Sequence, residues 1–511
     1  MQQTKRQGLN YRRTLLVGFA FFLICAFWQA YDSIIPKILT DKFGLSQFWS
    51  GIIMALDNML ALFLLPFFGA LSDKSKSKRG RRTPFVLIGT VLAVVCFLSL
   101  SFFDQMQLTS LGVVGNEGEV SAMEAIYDAE STSELKTPDG ESYVLRDKYT
   151  KEEFTRLTVG SEEYTDYAVP ARQSYAWKAT VQSPTTLLFF ILLLLGVLIS
   201  MGIFRSPAVA LMPDVTPKPL RSKANAVINL MGSIGGVLVI VLGIVFKTGD
   251  AKNALMPYGG FFLAVAAVMI VSLVIFLFTV KEPKWAEEAA AADGDADDDD
   301  EMAADGGRKL SSAELRSLIL ILFSVALWYM GYNAVISKYS VYAGKVLALD
   351  YNTTLLLAQV AAVISYLPIG FLSSRFGRKK MILVGVLILT VAFGGAIFIR
   401  AGASLLLVNV LFALAGIGWA TINVNSYPMV VELARGGDVG KYTGFYYTAS
   451  MAAQVITPVL SGFFLDIRFT SLFPYATIFV FASFITMLFV RHGDVKPQMN
   501  DVIMDALSDN D

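Results

Sequence analysis

Three ionisable side chains lie within long apolar stretches of the sequence: Asp32, Asp57 and Arg205. A charge at the centre of a bilayer costs roughly 3 kcal/mol or more, so each of them is a functional candidate. A buried carboxylate can bind and release a proton or a cation, or it can accept hydrogen bonds from a ligand hydroxyl. We therefore interpret Asp57, Asp32 and Arg205 as ion-coupling residues. The alternatives are a static ion pair or a helix-bonding pair at Asp57, and partial hydration near the surface at Asp32.

Neutral polar and aromatic side chains recur along the same stretches at helical spacing. Trp28, Gln29 and Asp32 share one face, and Asn58 follows Asp57. In the second half of the chain the polar faces are uncharged, and they include Tyr329, Tyr332, Asn333, Gln359, Tyr366, Trp419, Asn423 and Gln454. Rings that pack on C–H faces, together with amides that bond hydroxyl groups, form the kind of surface that a sugar requires. We predict that these residues bind a substrate, and the alternative is packing between helices.

Two short basic turns occupy matching places in the two halves of the chain. The first contains Gly69, a run of Lys and Ser, and Gly80 followed by two arginines, and the second contains Gly370, Gly377 and a run of Arg and Lys. We expect the first glycine of each turn to allow close helix approach and the second to allow a tight turn. This duplication predicts a membrane protein built from two similar halves.

The basic turns and the acidic ends of two later spans predict a cytoplasmic gate. Arginine bonds carboxylates and helix-end carbonyls, so such contacts could hold one conformation of a two-state protein. The predicted gate residues are Asp73, Arg81, Arg82, Asp214, Arg375, Arg378 and Glu432. Ser374 stands where the first turn has Asp73, so we expect an asymmetric gate. The alternative is that these cations only fix the topology.

Helices that cross a membrane must position these residues, because 55% of the chain is apolar and only 16% is charged. A spanning helix needs about 20 mostly apolar residues. The sequence predicts twelve spans, at 14–36, 47–71, 83–104, 184–212, 222–246, 258–280, 315–343, 352–374, 380–400, 404–432, 441–465 and 472–490. The expected fold is an all-α integral membrane protein with twelve transmembrane helices in two pseudo-symmetric six-helix bundles.

The spans define the domain organisation. We expect an N-terminal bundle at 1–280, an acidic cytoplasmic linker at 281–313, a C-terminal bundle at 314–491 and a cytoplasmic tail at 492–511. The linker is polar from 286 to 307 and predicts a flexible, solvated hinge, and the spacing of Ser311 and Glu314 predicts the start of the seventh helix.

A long connection interrupts the N-terminal bundle at about 105–183. It holds fourteen acidic against seven basic residues, and we place it outside the cell. Its Tyr, Val and Thr content between Tyr143 and Tyr167 favours a few strands in a small cap, with a disordered loop as the alternative.

The distribution of basic residues predicts the orientation. Lys and Arg precede the first span and concentrate in the even-numbered loops, so both termini should face the cytoplasm in a multi-pass protein of the cytoplasmic membrane.

Several functional classes find no support. The formal net charge is zero, which disfavours nucleic-acid binding. Cys25 and Cys96 lie in apolar runs and His492 is the single histidine, so we expect neither a disulfide nor a metal, and no cofactor. The chain has no phosphate-binding loop of the Gly-x4-Gly-Lys-Ser/Thr type, which argues against direct ATP drive. An enzyme is disfavoured because no nucleophile, base and orienting group share a segment.

The loop after the second span resembles the signature of the major facilitator superfamily of secondary transporters. Within it, Ser72-Asp73-Lys74, Gly80-Arg81-Arg82 and Pro84-Phe85 are similar to the glycoside/pentoside/hexuronide and sucrose-transporter-like branch, as are Ser206-Pro207 and Asp214. The resemblance implies two six-helix bundles that rock about a central site and move a sugar together with a cation. The acidic coupling residues of proton-coupled sucrose transporters are absent here, where Leu198, Val335 and Ser337 stand nearest to their places.

The combined expectation is a secondary active transporter that works by alternating access, as a sugar or glycoside:cation symporter. The expected partners are a small-molecule substrate, H+ or Na+, and the lipid bilayer, with the protein acting as a monomer. One alternative is an exporter of lipophilic compounds on the same fold. Another, of a different class, is a membrane-anchored receptor that uses the outer insertion.

Overall fold

A computed structural model of the protein describes residues 9–112, 120–217, 220–294, 311–431, 433 and 439–492. Within them the chain forms the α-helices α1 (Tyr11–Lys37), α2 (Gln47–Asp73), α3 (Thr83–Leu111), α4 (Val120–Glu130), α5 (Leu145–Lys148), α6 (Lys151–Thr155), α7 (Val169–Gln182), α8 (Thr185–Asp214), α9 (Arg221–Val245), α10 (Gly259–Thr279), α11 (Glu282–Gly294), α12 (Ser312–Tyr342), α13 (Tyr351–Phe376), α14 (Arg378–Ala396), α15 (Leu405–Val431), α16 (Val439–Ile467) and α17 (Leu472–Leu488). Two short strands, β1 (Glu134–Lys136) and β2 (Ser142–Val144), form an antiparallel hairpin.

The long helices match the predicted spans. Eleven of them are long and apolar enough to cross a membrane, and α13, with 26 residues, is the twelfth long helix in the described part of the chain. Large apolar side chains point outward from them; Phe278 and Phe398, for example, are 84% and 85% exposed. Such surfaces are unfavourable in water and favourable in lipid. The all-α membrane fold is confirmed.

The chain divides into two compact units. The first comprises Met1–Leu45, Leu56–Ala129 and Arg172–Met302, and its helix pairs include α1 with α9 and α3 with α8. At the α1–α9 contact a Cβ on Gly235 would lie 2.5 Å from the backbone oxygen of Phe22, so only glycine allows this approach.

The second unit comprises Ser46–Ala55, Glu130–Ala171 and Ala303–Asp511. In it α12 packs against α16 and α17, while α15 packs against α13 and α14. The first nine residues of α2 therefore group with this unit, and the rest of the helix groups with the first.

The duplication also appears in local backbone geometry. A π-helix follows the first long helix of each half, at Ile38–Lys42 and at Ala343–Leu347. The two basic turns each contain a glycine with positive φ, +105° at Gly80 and +90° at Gly377. These conformations favour glycine, as expected for tight turns.

The described part of the insertion is folded and mainly helical. It contains α4, the hairpin, α5, α6, a π-helix at Tyr164–Ala168 and α7. The expected strands between Tyr143 and Tyr167 are limited to part of β2. The two parts of the insertion belong to different units, with 130–171 in the second and the flanking residues in the first.

The beginning of the linker differs from the expected flexible hinge. Residues Glu282–Gly294 form α11, which buries Trp285 and Ala289 and is joined to the start of α1 by an ion pair between Arg13 and Glu288. The hinge prediction is therefore wrong up to Gly294, and its remainder to residue 307 lies outside the described residues. Helix α12 begins with the predicted capping box, in which Ser311 and Glu314 bond each other's backbone N–H.

Candidate functional site

Two of the three candidate ion-coupling residues, Asp57 and Arg205, line a small cavity in the first unit. Trp28 on α1, Asp57 on α2 and Arg205 on α8 line a space of about 10 Å³, close to the volume of one water molecule. The Arg205 guanidinium lies 5.3 Å from the centre of the Trp28 ring, within range of a cation–π contact. The structure thus brings together three residues that are up to about 180 positions apart in the sequence.

In the described part of the chain, the carboxylates of Asp57 and Asp32 form no ion pair. Asp57 Oδ1 accepts hydrogen bonds from the backbone N and the Nδ2 of Asn58, at 2.5 and 2.7 Å. Within the described residues, neither Asp57 nor Asp32 forms an ion pair with Arg205, although all three interact electrostatically. The alternative of a static Asp57–Arg205 bridge therefore does not hold in this conformation. Gln29 Nε2 donates a hydrogen bond to Ser33 Oγ at 3.1 Å.

A second polar and aromatic surface lies in the second unit. The rings of Tyr332 on α12 and Trp419 on α15 stack face to face, 3.6 Å apart and parallel within 1°. Tyr329 meets the same Trp419 ring edge-on at 5.2 Å. Three of the predicted aromatic residues therefore form one cluster, which presents the apolar faces and polar tips that polyhydroxylated ligands need.

Two buried donors in these sites lack a hydrogen-bond acceptor. Trp28 Nε1 belongs to the first unit and Asn333 Nδ2 to the second, and neither has a partner in the described part of the chain. A buried unsatisfied donor needs a bound water or a ligand to account for it. Gln454 donates to the backbone of Ser450 at 3.3 Å.

The remaining predicted binding residues are dispersed. Gln359 and Tyr366 lie on α13, with Tyr366 39% exposed, and Asn423 lies one turn after Trp419 on α15. Tyr366 interacts electrostatically with Tyr332 of the aromatic cluster, whereas no contact among the described residues joins Gln359 or Asn423 to it.

The first basic turn forms a charged network at the ends of α2, α3 and α8. Arg81 holds Asp214 with two hydrogen bonds, of 3.0 Å from Nε and 2.6 Å from Nη2. Arg82 bonds the same carboxylate at 2.7 Å and also pairs with Asp73 at 2.5 Å. The hydrogen bonds that Arg81 donates to Asp214 raise the pKa of Arg81 above its usual value, so this arginine stays charged. These four predicted gate residues lie in one network.

Glu282 completes this network and was not among the predicted residues. Its carboxylate accepts hydrogen bonds from the backbone N of Arg82 and of Thr83, both at 2.8 Å, so it caps the first turn of α3. A carboxylate at a helix N-terminus is favourable because it meets unpaired N–H groups and the positive end of the helix dipole. Its position directly after the sixth span was the only sequence signal for this role.

The second basic turn is organised differently. Arg375 lies beside the Phe376 ring and forms no ion pair within the described residues. Lys379 donates to the backbone oxygens of Leu488 and Val490 at the end of α17. Glu432 and the side chain of Ser374 lie outside the described part, so the expected partner of this turn is not seen. At Gly69 a Cβ would lie 2.8 Å from Ser206 Oγ, as expected for close packing, whereas among the described residues no atom lies within 4 Å of a Cβ built on Gly370, so the same role there stays a prediction.

Further buried charges escaped the sequence prediction. Lys42 and Asp104 form an ion pair of 2.5 Å with both side chains at most 1% exposed. Lys338 on α12 is fully buried and donates to the backbone oxygen of Gln47 at 2.7 Å. The expectation that the second half carries only neutral polar groups in its spans is therefore wrong.

Comparisons with known proteins agree with this architecture. The family model of the Major Facilitator Superfamily matches residues 4–124, 174–365 and 351–502. The chain is 33% identical over 73 residues to an uncharacterized symporter, YnaJ, of Bacillus subtilis (strain 168), a match that spans 14% of this chain and 16% of that protein.

Two solved structures share the fold. The inward open xylose transporter XylE from E. coli is 15% identical, with a TM-score of 0.56 over 97% of this chain and 99% of that one. A POT family transporter in complex with 5-aminolevulinic acid is 9% identical, with a TM-score of 0.57 over 94% and 95% of the two chains. The protein belongs to the Major Facilitator Superfamily of membrane transporters.

Proposed function

We propose that this transporter moves a sugar or glycoside together with a cation by alternating access. The observation that carries the sugar assignment is the Tyr332–Trp419 stack with Tyr329 at its edge. Asn333 Nδ2, a buried amide donor without a hydrogen-bond partner among the described residues, lies one residue beyond Tyr332. Rings and amide donors together suit a neutral polyhydroxylated ligand better than an ion. Support also comes from the xylose transporter named above and from the short match to a symporter.

Charge balance in the first unit supports coupling to a cation. Asp32 and Asp57 carry two negative charges when ionised, and Arg205 carries one positive charge. The site therefore has one carboxylate in excess, and a proton or Na+ would neutralise it. An isolated excess charge in lipid is costly, so uptake of a cation would favour the states in which this site is closed.

The proposed setting is the cytoplasmic membrane with both termini inside. It follows from the Lys and Arg bias of the even-numbered loops, to which the network around Arg81 and Arg82 belongs. The resemblance to the glycoside and sucrose branch is part of the same proposal.

The substrate class is tested by uptake into proteoliposomes. We would measure uptake of radiolabelled mono- and disaccharides with and without a pH or Na+ gradient. Trp419→Ala should raise KM at least about tenfold, equivalent to ~1.4 kcal/mol of binding. Phe398→Ala, which removes an outward-facing ring, is the matched control and should leave KM unchanged. Absence of saturable flux for every sugar would refute the substrate class.

Coupling is tested separately with Asp57→Asn. This substitution removes the excess negative charge and keeps a hydrogen-bonding side chain of similar size. We expect gradient-driven accumulation to disappear while substrate exchange at equilibrium continues. Asp147→Asn, at an exposed surface position, is the control. Normal accumulation by Asp57→Asn would exclude this carboxylate from coupling.

A further inference from the structure

The beginning of α2 is held by side chains that are distant in the sequence. Asp466, near the end of α16, accepts hydrogen bonds from the backbone N of Gln47 at 2.6 Å and of Phe48 at 2.9 Å. It therefore caps a helix more than four hundred residues away. Lys338 bonds the backbone oxygen of the same Gln47. All of these residues belong to the second unit.

The backbones of α2 and α16 also touch directly. A Cβ on Gly51 would overlap the backbone oxygen of Pro458, and one on Gly462 would overlap that of Gln47. Both amide atoms of the Gln47 side chain are buried without a hydrogen-bond partner in the described residues. The helix end is thus closely packed, and its hydrogen bonds to the rest of the second unit run through the Gln47 and Phe48 backbone.

The insertion is attached to the same short segment. The tip of its hairpin lies on residues 466–471, which we call the α16–α17 junction. The backbone oxygen of Pro138 accepts hydrogen bonds from the backbone N of Phe469 at 2.6 Å and of Thr470 at 3.4 Å. Asp139 accepts bonds from Arg468 at 3.0 and 3.1 Å and from Thr470 Oγ1 at 2.8 Å.

Asp139 is held as a charged acceptor at this contact. Although partial burial opposes ionisation, the hydrogen bonds from Thr470 and Arg468 lower the pKa of Asp139 below its usual value. Gly140 follows with a φ of +89°, and a Cβ there would lie 2.9 Å from the backbone oxygen of Ile467. The hairpin tip therefore fits the junction through both its backbone and its side chains.

We infer that the insertion controls the release of the beginning of α2: by bonding residues 468–470, the hairpin tip fixes the junction from which Asp466 caps α2. Asp466 and Arg468, which make the two contacts, are two residues apart across the end of α16, so movement of the junction would displace the cap. Asp139 is accordingly a positioning residue that acts on α2 through Asp466. The inference needs the two-state behaviour of a transporter and does not depend on which substrate is moved.

The test uses a cysteine that is buried in this conformation. Ser50 lies in the segment held by the junction and is fully buried. We would introduce Ser50→Cys into the full-length protein with Cys25→Ser and Cys96→Ser, and measure its labelling by a membrane-impermeant maleimide added on the side of the insertion. The labelling rate is measured without substrate and without transport. A failure of this inference can therefore be told apart from a failure of the proposed sugar transport.

Asp139→Ala and Asp466→Ala should each raise the labelling rate at least about fivefold. The double variant should label no faster than the faster single variant, because both act on one release step; independent effects would multiply. Asp147→Ala is the control, since Asp147 is an exposed acid of the insertion that pairs only with its neighbour Arg146 among the described residues.

The inference would be overturned if Asp139→Ala were labelled at the parental rate while Asp466→Ala were labelled faster. It would also be overturned if the increases in labelling rate of the two single variants multiplied in the double variant. If Asp139→Ala does not fold, Asp139→Asn replaces it in the test. Its amide oxygen can still accept a hydrogen bond from the junction, so it should raise the labelling rate in the same direction but by a smaller factor.

Discussion

The buried pair of Lys42 and Asp104 allows a quantitative prediction about stability. Asp104 Oδ1 lies 2.5 Å from Lys42 Nζ, and its other oxygen accepts a hydrogen bond from the backbone N of Tyr258 at 3.2 Å. Lys42 Nζ also donates to the backbone oxygen of Met256 at 2.7 Å and lies 3.9 Å from the centre of the Tyr258 ring. The pair therefore joins the end of the first span to α3 and to the connection before α10.

Asp104→Asn removes the charge but retains an acceptor for Tyr258. Loss of one member of a buried ion pair costs about 3–5 kcal/mol, because the other charge is left in a medium that cannot solvate it. Lys42 keeps its bond to Met256 and its place over the Tyr258 ring, and a desolvated cation–π contact is worth about 2 kcal/mol. We therefore expect the lower end of the range, about 3 kcal/mol.

The measurement is equilibrium unfolding of the purified protein in a mixed-detergent titration. The double variant Lys42→Met with Asp104→Leu removes both charges and should recover most of the lost stability, since apolar replacement of a buried pair is often neutral or favourable. A single variant as stable as the parent would refute the assignment of a buried charge pair. A double variant less stable than Asp104→Asn would refute it as well.

Three further predictions concern the gate, the insertion and helix packing. Asp73→Asn should slow transport with little change in KM, and Asp214→Asn should slow it more because Asp214 bonds both arginines. Equal uptake rates for the parent and Asp214→Asn would mean that the basic turn only fixes the topology. Burial, and then nearby carboxylates, raise the pKa of Asp166 to about 6, above its ordinary value of 3.8. The stabilising contribution of protonated Asp166 is therefore full below pH ~4 and lost as the pH rises through ~6. Asp166→Asn should raise the melting temperature more at pH 7.5 than at pH 4.5, and an equal change in melting temperature at both pH values would contradict this. Gly416→Ala would place a Cβ in overlap with the backbone oxygen of Ala358 on α13 and should lower the yield of folded protein, whereas Gly394→Ala on α14 would meet Thr477 Cγ2 at an ordinary 3.8 Å and should be tolerated. Size-exclusion chromatography compares the two variants, and a normal profile for Gly416→Ala would count against the close α13–α15 contact.

The span pattern could be predicted from sequence because a membrane imposes a local rule. Each spanning helix must supply about 20 apolar residues in one run, and its ends are marked by charges, glycine or proline. The start of α12 illustrates this: Ser311 and Glu314 cap the helix with groups only three residues apart. The tight turns at Gly80 and Gly377 were predictable for the same reason, since φ is a property of one residue.

The pairing of side chains could not be predicted in this way. Helical spacing places Trp419 and Tyr332 on faces of their own helices, but the rotation of each helix decides whether those faces meet. Lys338 was overlooked because it lies at the polar end of a long apolar run, and its acceptor is a backbone oxygen on another helix. Composition carries no signal for such an acceptor.

The sequence alone determined the membrane class, the twelve spans in two halves and the charged turns between them, because hydropathy, charge and glycine act within a few residues. The tertiary structure decided which carboxylate each arginine bonds, that Glu282 caps α3, that Asp466 caps α2, and that the insertion rests on the same junction. Those contacts join residues that are hundreds of positions apart, and only the packed helices bring them within hydrogen-bond distance.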